Sequence, residues 1–417
     1  MIGKLERDIG WNIVSLGVAG VSGILLNLLI GLRYDAGALG VFNQVFAAYI
    51  FFSQFAVAGV HFSTLKHVAE GAQDPPRAGA IVFSALLLTG CLASLSSAAF
   101  WLAGGIIGSI LESPGVTEGI AWAAPGLIFF ALNKVLLAAF NGLRWMGLYA
   151  FCQALRPVLV LAAFIVAAIL RAPPAALPVA LTVGEGLLFI LALLRIIPRL
   201  AGSLGGAGVW VRRHVDFGLR SFLGGALIEL NTRVDVLMLG YFASDRLVGI
   251  YSLAAILAEG LYQLLIVIRN NINPLLVTLT SRMQLDELRR LAVRTKGATY
   301  LLMLGVGAIA VAGYPFILEN LTRGSELARS WPIFAILMLG IVISSGYVPF
   351  GGILLQAGRP GLHTAMIGGV VAFNCAANLL LIPFWGAIGA AVATSLSFVF
   401  AAFLLVILTQ RTVGVRV

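Results

Sequence analysis

Residues 229–242 have the sequence ELNTRVDVLMLGYF, which decides what kind of fold the chain can have. The stretch lies in an apolar run long enough to cross a lipid bilayer, yet it contains Glu229, Arg233 and Asp235. A charged side chain inside a membrane costs several kcal/mol unless another group compensates for it. The charges therefore indicate a polar function within a membrane-spanning helix.

The composition extends this interpretation to the whole chain. Of the 417 residues, 60% are hydrophobic and only 11% are charged, which is too apolar for a soluble domain. A helix needs about 20 residues to span the hydrocarbon. The sequence therefore predicts an all-α polytopic membrane protein with twelve transmembrane helices, at residues 9–32, 39–66, 79–103, 117–140, 145–170, 174–197, 218–242, 247–276, 293–313, 330–354, 360–384 and 385–410.

The positive charge of the chain has a topological pattern. The formal net charge is +10, and most of the 27 Lys and Arg residues fall in segments that lie on one side of the predicted membrane. Because cytoplasmic loops carry an excess of Lys and Arg, both termini are predicted to be cytoplasmic. The basic clusters then suit anionic lipid headgroups, and nucleic acid is not an expected partner.

One segment divides the spans into two sets of six. Residues 201–217 form a basic linker that begins with a Gly-rich stretch, and it separates an N-lobe at 1–200 from a C-lobe at 218–417. An even number of spans in each half is typical of parallel repeats related by an axis along the membrane normal. We therefore expect two pseudo-symmetric six-helix lobes around a central cavity.

A sequence echo supports the repeat. IGLRYDAGALGVFN at 30–43 aligns without a gap with LGYFASDRLVGIYS at 239–252. The alignment places Gly31 on Gly240 and Gly40 on Gly249. We expect these two segments to occupy equivalent places in the two lobes.

Charged residues inside the spans are the candidate site. Arginine in a low-dielectric cleft attracts phosphate and can bind it bidentately. The predicted substrate-binding cations are Arg33, Lys134, Arg156, Arg233 and Arg269, and the carboxylates that would balance their charge or couple transport to an ion are Glu185, Glu229, Asp235 and Glu259.

Structural roles compete with this hypothesis at several of these positions. Glu229 and Arg233 are four residues apart and could neutralise each other on one helix face. Lys134 could extend its amine to the cytoplasmic edge, and Arg269 could mark the cytoplasmic end of its helix. Arg156 and Glu185 could form an ion pair that serves structure alone.

Other function classes find little support. The three Cys and four His residues show no metal-ligand spacing, and no G-x-x-x-x-G-K-[ST] loop occurs, so neither a metal nor a nucleotide cofactor is expected. A polytopic polysaccharide polymerase or ligase would need a catalytic external loop, and the loops near 104–117 and 314–329 are short. We expect a transporter rather than an enzyme.

Three segments carry a family resemblance: WNIVSLGVAGVSGILLNLLIGLRYDAGALGVFNQ from residue 11, RVDVLMLGYFASDRLVGIYSLAAILAEG from 233, and NLLLIPFWGAIGAAVATSLS from 378. They resemble the polysaccharide flippases of the multidrug/oligosaccharidyl-lipid/polysaccharide exporter superfamily. The resemblance implies two six-helix lobes and a cavity lined by spans 1, 2, 7 and 8 that opens alternately to each side of the membrane.

The resemblance also implies a substrate and a location. Members of this family move polyprenyl-pyrophosphate-linked oligosaccharides from the cytoplasmic to the periplasmic leaflet of the bacterial inner membrane, for O-antigen or exopolysaccharide assembly. Membrane lipids and polysaccharide polymerase machinery are the further partners it implies. A multidrug or cation antiporter of the same superfamily is the alternative.

Overall fold

The protein is helical throughout the residues that its structure, a computed structural model, describes: 2–200, 207–322 and 326–414. No strand occurs in these ranges. The fourteen α-helices are α1 (Ile2–Arg33), α2 (Ala36–Val57), α3 (Val60–Glu70), α4 (Pro75–Ile110), α5 (Pro114–Gly142), α6 (Met146–Ile169), α7 (Val179–Leu200), α8 (Ala207–Asn231), α9 (Val234–Phe242), α10 (Asp245–Ser281), α11 (Leu285–Thr322), α12 (Trp331–Ser344), α13 (Ile353–Gln356) and α14 (Pro360–Thr412), with short 3-10 helices at Pro174–Ala176, Glu326–Ser330 and Val348–Phe350.

Ten helical segments within the described ranges are long and apolar enough to cross a membrane by length and composition. One of them, α14, has 53 residues and would be about 80 Å long if it were straight, far more than a bilayer needs. Its backbone is non-helical at Gly386, where φ is 53° and ψ is −130°, so α14 supplies two spans. With the divided segment α8–α9 as the remaining span, the predicted all-α fold with twelve spans is confirmed.

The seventh span differs from its prediction. We expected one continuous helix at 218–242, but α8 ends at Asn231 and α9 begins at Val234. Asn and Thr side chains compete with the backbone for hydrogen bonds and are weak helix formers, which accounts for an interruption at Asn231 and Thr232. The continuous helix predicted from Glu229 to Asp235 is therefore wrong.

The second span is also divided, between α2 and α3. Ala58 and Gly59 have positive φ values of 41° and 74°. A Cβ at Gly59 would lie 2.4 Å from the carbonyl oxygen of Gly218 in α8, so glycine meets both the backbone conformation and the close approach.

The helices form two compact units. Unit 1 contains the described residues up to Tyr34 and from Val41 to Leu230, and unit 2 contains Asp35–Gly40 and the described residues from Asn231 onward. The lobe boundaries at 200 and 218 remain a prediction. Residues 201–206 of the predicted linker lie outside the described residues, and α8 begins at Ala207.

The outer surface of each unit is apolar, as a lipid environment requires. In unit 1, Leu102 and Leu170 are 69% and 75% exposed, and in unit 2, Ile309 and Phe384 are 76% and 81% exposed. Such exposure would be costly in water, whereas hydrocarbon solvates these side chains at no cost. The chain is a multi-pass membrane protein.

The sequence echo has a structural counterpart inside unit 2. A Cβ at Gly40 would lie 1.7 Å from the carbonyl oxygen of Asp245, and a Cβ at Gly249 would lie 1.8 Å from that of Ala36. The alignment pairs Ala36 with Asp245 and Gly40 with Gly249, so each glycine meets the equivalent carbonyl of the other segment. This reciprocal contact has the form of a local twofold axis, and only glycine fits at its centre.

Candidate functional site

The most buried ion pair in unit 1 joins α6 to α7. Arg156 lies near the middle of the 24-residue helix α6, and Glu185 lies near the middle of the apolar segment Pro174–Pro198. Arg156 Nη2 donates to Glu185 Oε2 at 3.1 Å, while Nε approaches Oε1 at 2.7 Å without hydrogen-bond alignment. The pair anticipated from the sequence is therefore present.

A glycine next to Glu185 brings the two helices together. A Cβ at Gly184 would lie 2.8 Å from the backbone nitrogen of Val160, one turn beyond Arg156. Any side chain larger than hydrogen would separate α6 from α7. The short Arg156–Glu185 distance thus depends on close helix packing at Gly184.

Helix α5 completes the surroundings of the pair. Asn133 Nδ2 donates to Glu185 Oε2 at 2.8 Å and to the Glu185 carbonyl oxygen at 2.9 Å. The guanidinium of Arg156 lies 4.3 Å from the centroid of the Phe130 ring. The carboxylate is thus held by an amide and a guanidinium, and the cation is stacked on an aromatic face.

A second ion pair in unit 1 uses the same aromatic ring. Lys134 Nζ lies 3.0 Å from Glu229 Oε1 and 5.2 Å from the Phe130 ring centroid. The two partners are 95 residues apart in sequence and come from α5 and α8. Phe130 therefore contacts two cations, and each cation has its own carboxylate.

Unit 2 contains a looser pair. Arg233 Nη2 lies 3.4 Å from Glu259 Oε2. The sequence left open a local pair between Glu229 and Arg233. In the structure, Glu229 instead pairs with Lys134, and Arg233 pairs with Glu259. The interruption of the seventh span at Thr232 removes the regular i, i+4 geometry on which that local pair depended.

Asp235 in unit 2 is buried among hydroxyl groups. Its Oδ2 accepts a short hydrogen bond from the Tyr251 hydroxyl and one from Thr394 Oγ1 at 3.5 Å, and its Oδ1 accepts from the backbone nitrogen of Val236 at 2.9 Å. Asp235 is 7% exposed, and no described cation lies within ion-pair distance of it. Its carboxylate is therefore held by two hydroxyl groups and one backbone N–H group.

Arg33 and Arg269 complete the predicted set. Arg33 is the last residue of α1 and is exposed, and Arg269 is half-buried in α10. Among the residues whose side chains the structure describes, neither forms an ion pair. The structure thus brings three of the five predicted cations to predicted carboxylates and leaves these two apart from them.

Several participants were not predicted from the sequence. Tyr49, Phe130, Tyr251 and Thr394 contact or lie beside the buried charges, but aromatic and hydroxyl residues are common in apolar helices and carried no spacing signal. Tyr251 had one weak signal, because its repeat partner Phe42 lacks the hydroxyl. In the part of the chain that the structure describes, no group of three or more His, Cys, Asp or Glu residues could hold a metal ion.

The chain was compared with protein families and with curated protein sequences. A family model described as "Polysaccharide biosynthesis protein" matches residues 38–322. No curated protein sequence matches the chain significantly.

Solved structures of transporters share the fold. An inward-facing multidrug resistance MATE family transporter of the MOP superfamily aligns with a TM-score of 0.74 and 13% identity over 96% of this chain and 94% of that one. The lipid II flippase MurJ, in an inward closed conformation, aligns with a TM-score of 0.69 and 13% identity, over 95% of this chain and 87% of that one. A MOP superfamily transporter from Pyrococcus furiosus aligns with a TM-score of 0.68 and 14% identity, over 98% of this chain and 96% of that one. The resemblance recognised in the sequence is confirmed at the level of family and fold.

Proposed function

The chain belongs to the polysaccharide biosynthesis protein family, and from that membership we propose that it moves a polyprenyl-pyrophosphate-linked oligosaccharide from the cytoplasmic to the periplasmic leaflet of the bacterial inner membrane. Transport proceeds by alternating access, with both termini in the cytoplasm, and supplies O-antigen or exopolysaccharide assembly. The polyprenyl tail stays in the lipid while the charged headgroup crosses within the protein. Polymerase machinery would use the product outside.

One observation carries the proposal: a partly exposed guanidinium at mid-depth in a spanning helix. The Arg156 side chain is 22% exposed near the centre of α6. An arginine at that depth is costly in hydrocarbon and is tolerated where it meets water or a polar ligand. A pyrophosphate group, with several anionic oxygens, suits the planar donor edge of a guanidinium.

The remaining predicted residues have subsidiary roles in this proposal. Arg33, Lys134, Arg233 and Arg269 add to the phosphate-attracting surface. Glu185, Glu229, Asp235 and Glu259 keep the interior near neutrality, which limits the cost of burying the cations.

Glycan export tests the proposal. In cells that lack their own O-antigen or exopolysaccharide flippase, the wild-type chain should restore export, and Arg156→Ala and Arg233→Ala should abolish it. Each variant is quantified in the membrane fraction so that loss of protein is separated from loss of transport. Arg220→Ala is the matched control, because Arg220 is 77% exposed and its ion pair among the described residues is with Asp216 on its own helix. Export that persists in both test variants would remove the cationic residues from the mechanism.

A multidrug or cation antiporter is the competing function, because a MATE transporter shares the fold. At 13% identity this similarity concerns the fold alone and does not extend to the substrate. Growth of pump-deficient cells in cationic drugs separates the two functions. We expect the chain to restore glycan export without raising drug resistance, and the opposite result would establish the antiporter.

A further inference from the structure

Three ion pairs join site residues, and they differ in which of the two partners is the more exposed. The Arg156–Glu185 pair is the exception among them. The side chain of Arg156 is 22% exposed, whereas that of Glu185 is 4% exposed. In the other pairs the carboxylate is the more exposed partner, with 16% for Lys134 against 41% for Glu229, and 21% for Arg233 against 38% for Glu259. Of these three cations, Arg156 is therefore the one that is more exposed than its own carboxylate.

Anion binding at Arg156 would leave Glu185 in an unfavourable position. A guanidinium has five donors, so a phosphate can bind the exposed edge while Glu185 remains behind the buried edge. Two anions would then share one cation in a low-dielectric environment. When two acidic groups share such a site, one of them is strongly favoured to take up a proton. The sealed carboxylate cannot move into water to relieve the repulsion.

The surroundings of Glu185 can accept the hydrogen of a protonated carboxyl group. Asn133 Oδ1 and the Tyr49 hydroxyl are both buried and have no hydrogen-bond partner among the described residues. Asn133 already contacts Glu185 through its other amide atom, and Tyr49 is close enough to be affected by the charges of both Glu185 and Arg156. A neutral carboxyl group needs an acceptor that a carboxylate does not need. Asn133 thus contacts Glu185 and carries a spare acceptor, whereas the Tyr49 hydroxyl forms no hydrogen bond to Glu185 and lies farther away.

Few other ionisable groups act on this carboxylate. Helix α7 packs against α4, α5 and α6. Helix α6 contributes Arg156, α5 contributes Asn133 and, across the Phe130 ring, Lys134, and α4 has no charged residue after Arg77. Tyr49 comes from α2. Among the described residues, Arg156 is therefore the charged group in direct contact with Glu185.

We propose that Glu185 takes up one proton when a phosphate-bearing headgroup binds Arg156, so that the anionic substrate and a proton occupy unit 1 together. The proton comes from water, and Asn133 is the positioning residue that receives the hydrogen bond of the protonated carboxyl group. This inference rests on the proposed function and adds the coupled ion, its residue and the sign of the coupling. Proton and substrate assist each other's binding rather than compete.

Calorimetry on the purified full-length protein in lipid nanodiscs tests the inference, with farnesyl pyrophosphate as the probe. Titrations in buffers that differ in ionisation enthalpy give the number of protons taken up per ligand bound. We expect wild type to take up about one proton more than Glu185→Gln. The 31P chemical shift of the bound pyrophosphate, which reports the ligand's own protonation, should be the same in both proteins, so that the excess proton is assigned to Glu185. The wild-type affinity should rise by up to about tenfold per pH unit on acidification beyond the change seen in Glu185→Gln.

Glu118→Gln is the matched control, since Glu118 is an exposed carboxylate on α5 without a described ion pair, and it should behave as wild type. Binding by wild type without excess proton uptake would overturn the inference and leave the proposed function intact. Equal uptake by wild type and Glu185→Gln would remove Glu185 from the coupling. Absence of binding by wild type would overturn the proposed function itself. If Glu185→Gln does not fold, the proton uptake of wild type in excess of the protonation that the 31P chemical shift reports for the bound ligand still yields the proton count.

Discussion

Glu185 in unit 1 and Asp235 in unit 2 are both buried carboxylates, but they are stabilised in different ways. Glu185 has a guanidinium partner at 2.7 Å and an amide donor from Asn133. Asp235 receives hydrogen bonds from Tyr251, Thr394 and its own backbone segment, and no described cation forms an ion pair with it. One carboxylate is neutralised by charge and the other is stabilised by hydrogen bonds.

The difference indicates where each unit can respond to a ligand. At Glu185 the resident cation faces outward, so an anion can compete for it and change the state of the carboxylate. At Asp235 no described cation is within ion-pair distance, so an anion has no directly bound counter-ion to compete for. The two buried carboxylates therefore differ in whether a bound anion would compete for their partner.

Removal of Arg156 should have the largest effect on stability. Arg156→Ala leaves the sealed Glu185 carboxylate without its counter-ion, and breaking a buried pair in this way costs about 3–5 kcal/mol. The free energy of unfolding, measured by denaturant titration in mixed micelles, reports this loss. The double variant Arg156→Gln/Glu185→Gln removes both charges and should recover most of it. If Arg156→Ala were as stable as wild type, the Glu185 carboxylate would not be a destabilising charge in the absence of Arg156.

Removal of the Tyr251 hydroxyl should have an intermediate effect. Tyr251→Phe takes away the donor to Asp235 Oδ2, and an unsatisfied buried acceptor costs about 1–3 kcal/mol. The same unfolding measurement applies. In a double-mutant cycle with Asp235→Asn, the two losses should be less than additive because the residues are in contact. Additive losses would mean that the hydroxyl does not stabilise the carboxylate.

Removal of Arg233 should have the smallest effect on stability. Its contact with Glu259 is 3.4 Å long and both side chains are partly exposed, and such pairs contribute about 0–1 kcal/mol. The free energy of unfolding of Arg233→Ala should therefore lie within about 1 kcal/mol of the wild-type value, while glycan export is lost. A large loss of stability would show that Arg233 has a structural role comparable to that of Arg156.

Much of the fold could be predicted from local sequence. Long apolar runs must form helices in lipid because every backbone group needs a hydrogen-bond partner there, and this rule gave the twelve spans. The gaps in the second and seventh spans escaped prediction, since Ala58, Gly59 and Thr232 lie within apolar runs and the breaks depend on contacts such as the approach of Gly59 to Gly218.

The candidate site was predicted in part. The pairing of Arg156 with Glu185 could be anticipated because both lie at mid-depth in adjacent spans. The partner of Glu229 could not, because Lys134 is 95 residues away and a nearer cation, Arg233, was available. The repeat alignment marked Gly40 and Gly249, but their direct reciprocal contact emerged only from the packing of the helices.

By itself, the sequence determined that this protein spans a membrane many times, that its spans carry charge, and to which family it belongs, because these properties follow from composition and local order. Only the tertiary structure decided which cation neutralises which carboxylate and which partner of each pair is exposed. Those outcomes depend on distances between helices, set by small residues such as Gly184 that let one helix reach another, and a linear pattern does not contain such distances.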